Sequence, residues 1–263
     1  MKLLHYNLRD RFIVTELHTR GTLDKNLDRY RGNTLAALQA FRPLVDGVRE
    51  IHRRAIHRDI KPENIFLNSF GNLVLGDFGI VFFQTGGRVT TTFERVGSHF
   101  WMAPWAYKNE RLASDEVGPS LDIFPLGKVL WSMISGRNGF AYWEYDRDEN
   151  NLAKLFPDDA ALPLVNRLLG KCVVREEKDC SLTAEQLGTE VDALIHAVRR
   201  LRLGQKPGDG DEWPCRMCGQ GRYVTTRVTV SGYIGNTSDR APFRAVACNK
   251  CGHVELFTGQ PPM

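Results

Sequence analysis

No apolar run in the 263 residues approaches the roughly 18 that a membrane-spanning helix needs. The opening Met1 to Asn7 is too short and too polar for a signal peptide. Charge of one sign is also scarce. The 35 Lys and Arg stand against 31 Asp and Glu, for a net charge of +4 and a pI near 8.7. That balance is too mild to argue by itself for nucleic acid or a membrane surface. There is no internal repeat and no low-complexity tract, so nothing points to a repeat array. Cysteine is sparse, and four of the six stand in two Cys-x-x-Cys pairs. Such pairs suit metal binding in a reducing compartment better than a disulfide framework, and we read the chain as cytoplasmic. What remains is ordinary for a globular protein: 42% hydrophobic and 25% charged residues, enough for one large core and a small appendage.

Hydrophobic periodicity divides the chain into elements. Phe12 to Leu17 is a short β-branched run and predicts a strand. Between Asn33 and Arg54, apolar residues such as Leu38, Phe41, Val45 and Val48 fall at helical spacing with one buried stripe. Ile65 to Leu67 and Leu73 to Leu75 predict a hairpin around a Gly-containing turn. Ile80 to Pro104 has no clear period and reads as a long loop, which in a compact domain is often functional. Ser120 to Ser135 predicts a buried helix, with Ser120 as N-cap, Pro125 tolerated in the first turn and Gly136 as the stop. Leu162 to Val174 and Thr183 to Leu203 predict two more helices. Gly204 to Glu212 breaks all periodicity and reads as a flexible linker.

The residues that carry chemistry are His57-Arg58-Asp59-Ile60-Lys61-Pro62-Glu63-Asn64, followed thirteen residues after Asn64 by Asp77-Phe78-Gly79. At this spacing they supply a base, a cation and two oxygen ligands for a hard metal ion, the parts that phosphoryl transfer needs. On these two motifs the chain resembles a eukaryotic-type protein kinase, and Lys61, two residues after Asp59, points to the Ser/Thr branch. The resemblance implies that Asp59 orients and deprotonates a substrate hydroxyl. It implies that Lys61 balances charge on the transferred phosphoryl group, and that Asn64 and Asp77 hold Mg²⁺. Thr15 is then the gatekeeper of the ATP pocket, the Glu16 carbonyl and the His18 N–H meet adenine, and Phe66 forms part of the floor. His57 is a core residue near Phe78. Arg58 is expected to meet a phosphorylated loop, with Thr90, Thr91 and Thr92 as the sites. Gly97-Ser98, Met102-Ala103-Pro104 and the stretch from Asp122 to Gly127 extend the likeness over residues 1 to 197. Asp122 is expected to anchor the catalytic loop from below.

The sequence departs from the family in two linked places. Trp105 stands where the family has Glu after Ala-Pro. Ser181-Leu182-Thr183-Ala184 lacks the Arg that this Glu pairs with. Losing one partner of a buried ion pair is costly, whereas replacing both by packing can be neutral. We read a coordinated replacement in which Trp105 anchors the segment. The Gly-rich loop, the strand Lys and the helix Glu of a kinase small lobe are not found before Thr15, where Lys2 is the only lysine. Our first expectation is that the chain begins inside the small lobe and is inactive alone. The alternative is a kinase-derived lobe used for binding.

Cys215-Arg216-Met217-Cys218-Gly219 and Cys248-Asn249-Lys250-Cys251-Gly252 are separated by 29 residues. Two such knuckles close a tetrahedral site of four thiolates, the pattern of a structural zinc ribbon, with a rubredoxin-like iron site as runner-up. Metal binding is expected to fold so small a segment. Arg216, Arg222, Arg227 and Arg244, interspersed with Tyr223 and Phe243, allow either a protein-docking face or a nucleic-acid surface, and we favour docking.

The expected fold is α+β and protein-kinase-like. Residues 1–16 are a remnant of the N-lobe sheet, 17–203 a mostly helical C-lobe, 204–212 a linker and 213–263 a small β zinc ribbon. The expected function is a Ser/Thr protein kinase that moves the ATP γ-phosphate to a protein substrate, with Mg²⁺, Zn²⁺ in the ribbon and no membrane partner. The rival is a non-catalytic module that presents the ribbon to a protein or nucleic acid.

Overall fold

A computed structural model describes residues 3–7, 9–10, 12–78, 82–83, 87–88, 100–108, 118–141, 144–145, 147–202, 213–214, 222–226, 243–248 and 254–258. The chain divides into two compact units, Met1–Leu203 and Gly204–Met263.

The first unit opens with an antiparallel ribbon, β1 (Leu3–Asn7) against β2 (Phe12–Thr15). Asn7 closes its turn: Oδ1 accepts the N–H groups of Arg9 and Asp10 at 2.9 and 3.0 Å, the local bonding that makes Asn a turn residue. β2 ends at Thr15, two residues before the end of the apolar run. Leu17, the last of that run, is exposed, so no burial extends the strand.

α1 (Thr34–Ile51) is capped by Asn33, whose side chain accepts from the Ala36 N–H. The predicted stripe is its buried face, with Leu38, Phe41, Leu44, Val45 and Val48 at most 2% exposed. Each such side chain contributes about 1.5–3 kcal/mol, which outweighs the single hydrogen bond lost to Pro43 inside the helix. β3 (Ala55–Ile56) leads into the loop that bears His57 to Asn64. β4 (Ile65–Leu67) and β5 (Leu73–Leu75) form the predicted hairpin, with Phe66 opposite Val74. Ile65, Leu67, Leu73 and Leu75 enter the core, while Phe66 and Val74 lie half-buried on the other face. The expected long loop contains β6 (Phe82–Phe83), paired with β3 and with β7 (Gly87–Arg88), and ends at α2 (Pro104–Lys108). Gly79, Thr90, Thr91, Thr92, Gly97 and Ser98 lie outside the described residues.

α3 (Ser120–Ser135) runs through the interior, and every residue from Asp122 to Ser135 is buried. Its bounds are the expected ones, but its cap differs. Ser120 is the first helical residue, and its hydroxyl donates to the Glu177 carboxylate at 2.7 Å instead of capping. Pro125 therefore falls in the second turn rather than the first, where its ring replaces an N–H that would have reached Leu121. Gly136 stops the helix with φ 73°, as expected. Gly127 sets the depth of packing: a Cβ there would lie 2.6 Å from the Cys172 Cβ. α4 (Leu152–Leu155) has too short a pattern to be seen in sequence. α5 (Leu162–Cys172) and α6 (Ala184–Arg202) are the two predicted C-terminal helices. Thr183 and Gln186 cap α6 reciprocally, at 3.2 and 2.8 Å. No described helix is long and apolar enough to cross a membrane.

The second unit is a four-stranded antiparallel sheet of β8 (Trp213–Pro214), β9 (Arg222–Thr226), β10 (Phe243–Cys248) and β11 (Val254–Thr258), in the order β11-β10-β9-β8. Cys215, Cys218 and Cys251, and the linker 204–212, lie outside the described residues. Cys248 ends β10 opposite Tyr223.

Candidate active site

The loop between β3 and β4 is held from within α3. Asp122, fully buried, accepts the backbone N–H of His57 at 2.8 Å and that of Arg58 at 2.7 Å. Its Oδ2 also meets the His52 Nε2 at 2.9 Å. A buried carboxylate needs this degree of satisfaction. In return it fixes the loop at Arg58, which takes the left-handed φ of 69°. A non-glycine residue adopts that conformation at a cost of about 1–2 kcal/mol, which the two charge-assisted bonds offset.

The turn brings Asp59, Lys61 and Asn64 together. Lys61 Nζ lies 3.0 Å from Asp59 Oδ1 and 2.8 Å from Oδ2. Asn64 Nδ2 donates to Asp59 Oδ2 at 2.7 Å and to the Asp59 carbonyl at 2.9 Å. With its amide nitrogen spent on Asp59, Asn64 has its amide oxygen left as the atom suited to a hard cation. Asp59 keeps a small opening to solvent, its side chain 12% exposed.

Asp77 joins the group through the backbone on either side of one glycine. The Gly76 N–H donates to the Asn64 carbonyl at 2.9 Å, and the His57 Nε2 donates to the Gly76 carbonyl at 3.1 Å. The end of β5 is thus fastened to the loop bearing Asp59, and the next residue, Asp77, takes the left-handed φ of 56° and is exposed. Arg58 and Asp77 are the only non-glycine residues with positive φ among those described, and both adjoin the site. Backbone strain collects where geometry is imposed.

His57 is the pin of this arrangement. Its ring packs edge-on to Phe78 at 5.0 Å, the place expected of a core residue. Nε2 gives a proton to Gly76 while Nδ1 faces the Asp59 N–H at 3.4 Å. Only a neutral ring can donate at one nitrogen and accept at the other. Burial pushes its pKa below the ordinary value, against the pull of Asp122.

The residues expected around adenine are split. His18 is buried and tilted over Phe66 with ring centroids 5.8 Å apart. The segment is tied to β4 by the Thr22–Phe66 bridge and by the Leu67 N–H on the Gly21 carbonyl at 2.9 Å. Both ring nitrogens of His18 are buried, and neither has a hydrogen-bond partner among the described residues. Thr15 is half-buried at the end of β2 and Glu16 is exposed. Neither bonds to the 57–64 loop among the described residues. Sequence reasoning missed His52, which the structure adds to the Asp122 cluster; the only signal was a histidine on the last turn of an apolar-striped helix.

The comparisons agree with this geometry. The chain is 26% identical over 197 residues to the serine/threonine-protein kinase PknL of Mycobacterium tuberculosis, covering 71% of this chain and 48% of that protein. It is 24% identical over 220 residues to the probable serine/threonine-protein kinase pknA2 of Bifidobacterium longum, covering 80% of this chain and 27% of that one. It is 32% identical over 191 residues to the serine/threonine-protein kinase STE20 of Eremothecium gossypii, covering 65% and 19%. The chain therefore spans about half the length, or less, of these curated relatives. Residues 4–203 match the protein kinase domain model, and since that stretch is most of the chain and holds the whole Asp59–Asp122 cluster, the chain belongs to the protein kinase domain family.

Proposed function

We propose that residues 1–203 are the catalytic part of a Ser/Thr protein kinase that transfers the γ-phosphate of ATP to a protein hydroxyl. The observation that carries this is the joint grip of Lys61 and Asn64 on Asp59, with Asp77 locked beside them through Gly76. Asp59 is the proton acceptor and orients the hydroxyl. Lys61 releases one oxygen of Asp59 to balance charge on the phosphoryl group. The Asn64 amide oxygen and the Asp77 carboxylate would hold Mg²⁺, which supplies the neutralisation of phosphate charge when bound. The Glu16 carbonyl and the His18 backbone N–H would meet adenine, with Phe66 in the floor and Thr15 as gatekeeper.

The test is Mg²⁺-dependent transfer of labelled phosphate from ATP to a Ser/Thr substrate by the protein purified as its native gene product. Asp59→Asn should cut the rate by about 10²- to 10⁴-fold, the usual worth of a positioned general base. Equal transfer by wild type and variant would refute the assignment. The absence of transfer from both would favour a binding role.

We assign residues 213–263 to a structural zinc ribbon in a cytoplasmic protein. Support comes from the strand register. β8 ends at Pro214 and pairs with Arg222, while β10 ends at Cys248 and pairs with Tyr223. The strand ends Pro214, Arg222 and Cys248 lie together at one end of the sheet, the end at which a four-thiolate site would be built. A protein-docking role fits a unit whose sheet is too small for an enzyme pocket.

A further inference from the structure

α3 carries a second charged side chain into the core, six residues beyond Asp122. Lys128 is 0% exposed. Its ammonium lies 4.5 Å from the ring centre of Phe100, 5.1 Å from Trp101, 5.2 Å from Phe140 and 5.9 Å from Phe124. All four are within cation–π reach. The ammonium donates to the backbone carbonyl of Phe100. Burial pushes this lysine from its ordinary 10.5 down to about 7. Methionine or leucine would fill the same space without that penalty. Among the described residues, the polar atom Lys128 holds is the Phe100 carbonyl, and this contact is what the charge secures.

The held segment leads into α2 and is pressed on from other sides. A Cβ on Gly139 would come 2.5 Å from the Phe100 ring. Trp101 and Ala103 are 4% and 1% exposed. Trp105 stands edge-on to Phe124 of α3 at 5.5 Å. The same helix grips the amides of His57 and Arg58 through Asp122. One rigid element thus holds the loop bearing Asp59 with an anion and the 100–105 segment with a cation. Neither Trp105 nor the stretch 181–184 supplies the acid–base pair that would otherwise fasten this segment.

We propose that Lys128 is a positioning residue, which tethers the Phe100 carbonyl and thereby sets the 100–105 segment against Asp59 for a hydroxyl-bearing peptide. The peptide part of this proposal rests on the kinase reading, whereas the tether itself does not.

The test is amide hydrogen exchange across the full 263-residue chain, comparing wild type with Lys128→Met and Lys128→Leu, which keep packing but lose the donor. Lys128→Gln, which keeps an N–H donor, is the rescue. The expected result is exchange at least about tenfold faster over 100–106 in Met or Leu, with α1 and α6 unchanged and protection largely restored in Gln. Equal protection in all variants overturns the tether. Failure of all three variants to fold, Gln included, also overturns it, because Lys128 would then hold the core itself and not the segment through its donor. In the native gene product, the apolar variants should raise KM for peptide and leave KM for ATP unchanged. Faster exchange at 100–106 with no transfer in wild type would keep the tether and reject the kinase reading.

Discussion

His57 uses its two ring nitrogens in opposite senses, and this gives the site a pH limit. The folded protein holds the ring neutral, with a pKa below the ordinary value because of burial. In the unfolded chain the ring titrates near 6.5. Between those values the unfolded state binds the extra proton, so stability falls as pH falls. The contribution is fully present above about 6.5 and is lost progressively below it. Lowering the pH from 7 to 5.5 should therefore reduce stability through this residue. Urea denaturation at the two pH values, in wild type and in His57→Gln, measures the difference. A pH dependence unchanged in the variant would remove His57 as its source. Residues of this kind were partly legible in the sequence. Asp59, Lys61, Asn64 and Asp77 lie within nineteen positions of one another, so their spacing is a local property. His52 and Lys128 were not legible, because their partners, Asp122 and the Phe100 carbonyl, lie 70 and 28 residues away. Only tertiary structure joins them.

At the scale of the element, α3 organises the lobe. Its existence could be read from its apolar content and from Gly136. So could its first residue, Ser120, whereas its cap could not, because the Ser120 hydroxyl is drawn to Glu177, 57 residues later in the chain. The helices α1, α5 and α6 were visible for the same reason as α3, since burial imposes a period on the sequence, and their ends moved by a few residues because caps depend on neighbours. The replacement at Trp105 belongs here too. The indole is 6% exposed and edge-on to Phe124, so it fills the site that a carboxylate would have to share with a cation. Trp105→Glu should therefore destabilise the fold by about 4 kcal/mol or more, through lost aromatic packing and an unpaired buried acid. For a unit of this size that is a fall of roughly 10 °C in Tm. A melting temperature unchanged by the substitution would mean that Trp105 anchors nothing.

Across the whole molecule, the two compact units draw on different sources of stability. The first buries a continuous core from Leu23 to Val198. The second has four strands, two of only five residues and one of two, and a sheet this small is marginal without a cross-link. Its cysteine spacing was legible, whereas the strand order β11-β10-β9-β8 was not. The local sequence does not state which strands pair. If four thiolates bind zinc there, metal binding is the folding free energy of that unit and of no other part. The purified chain should then contain one zinc ion per molecule by elemental analysis. A strong chelator should abolish amide protection in 222–226, 243–248 and 254–258 while leaving α1 and α3 as they were. Zinc added back should restore it. Iron in place of zinc would give a coloured protein and the same chelator response, and would change the ion but not the architecture. Protection that survives complete removal of metal would show that the sheet holds itself together, and the two knuckles would then need another purpose.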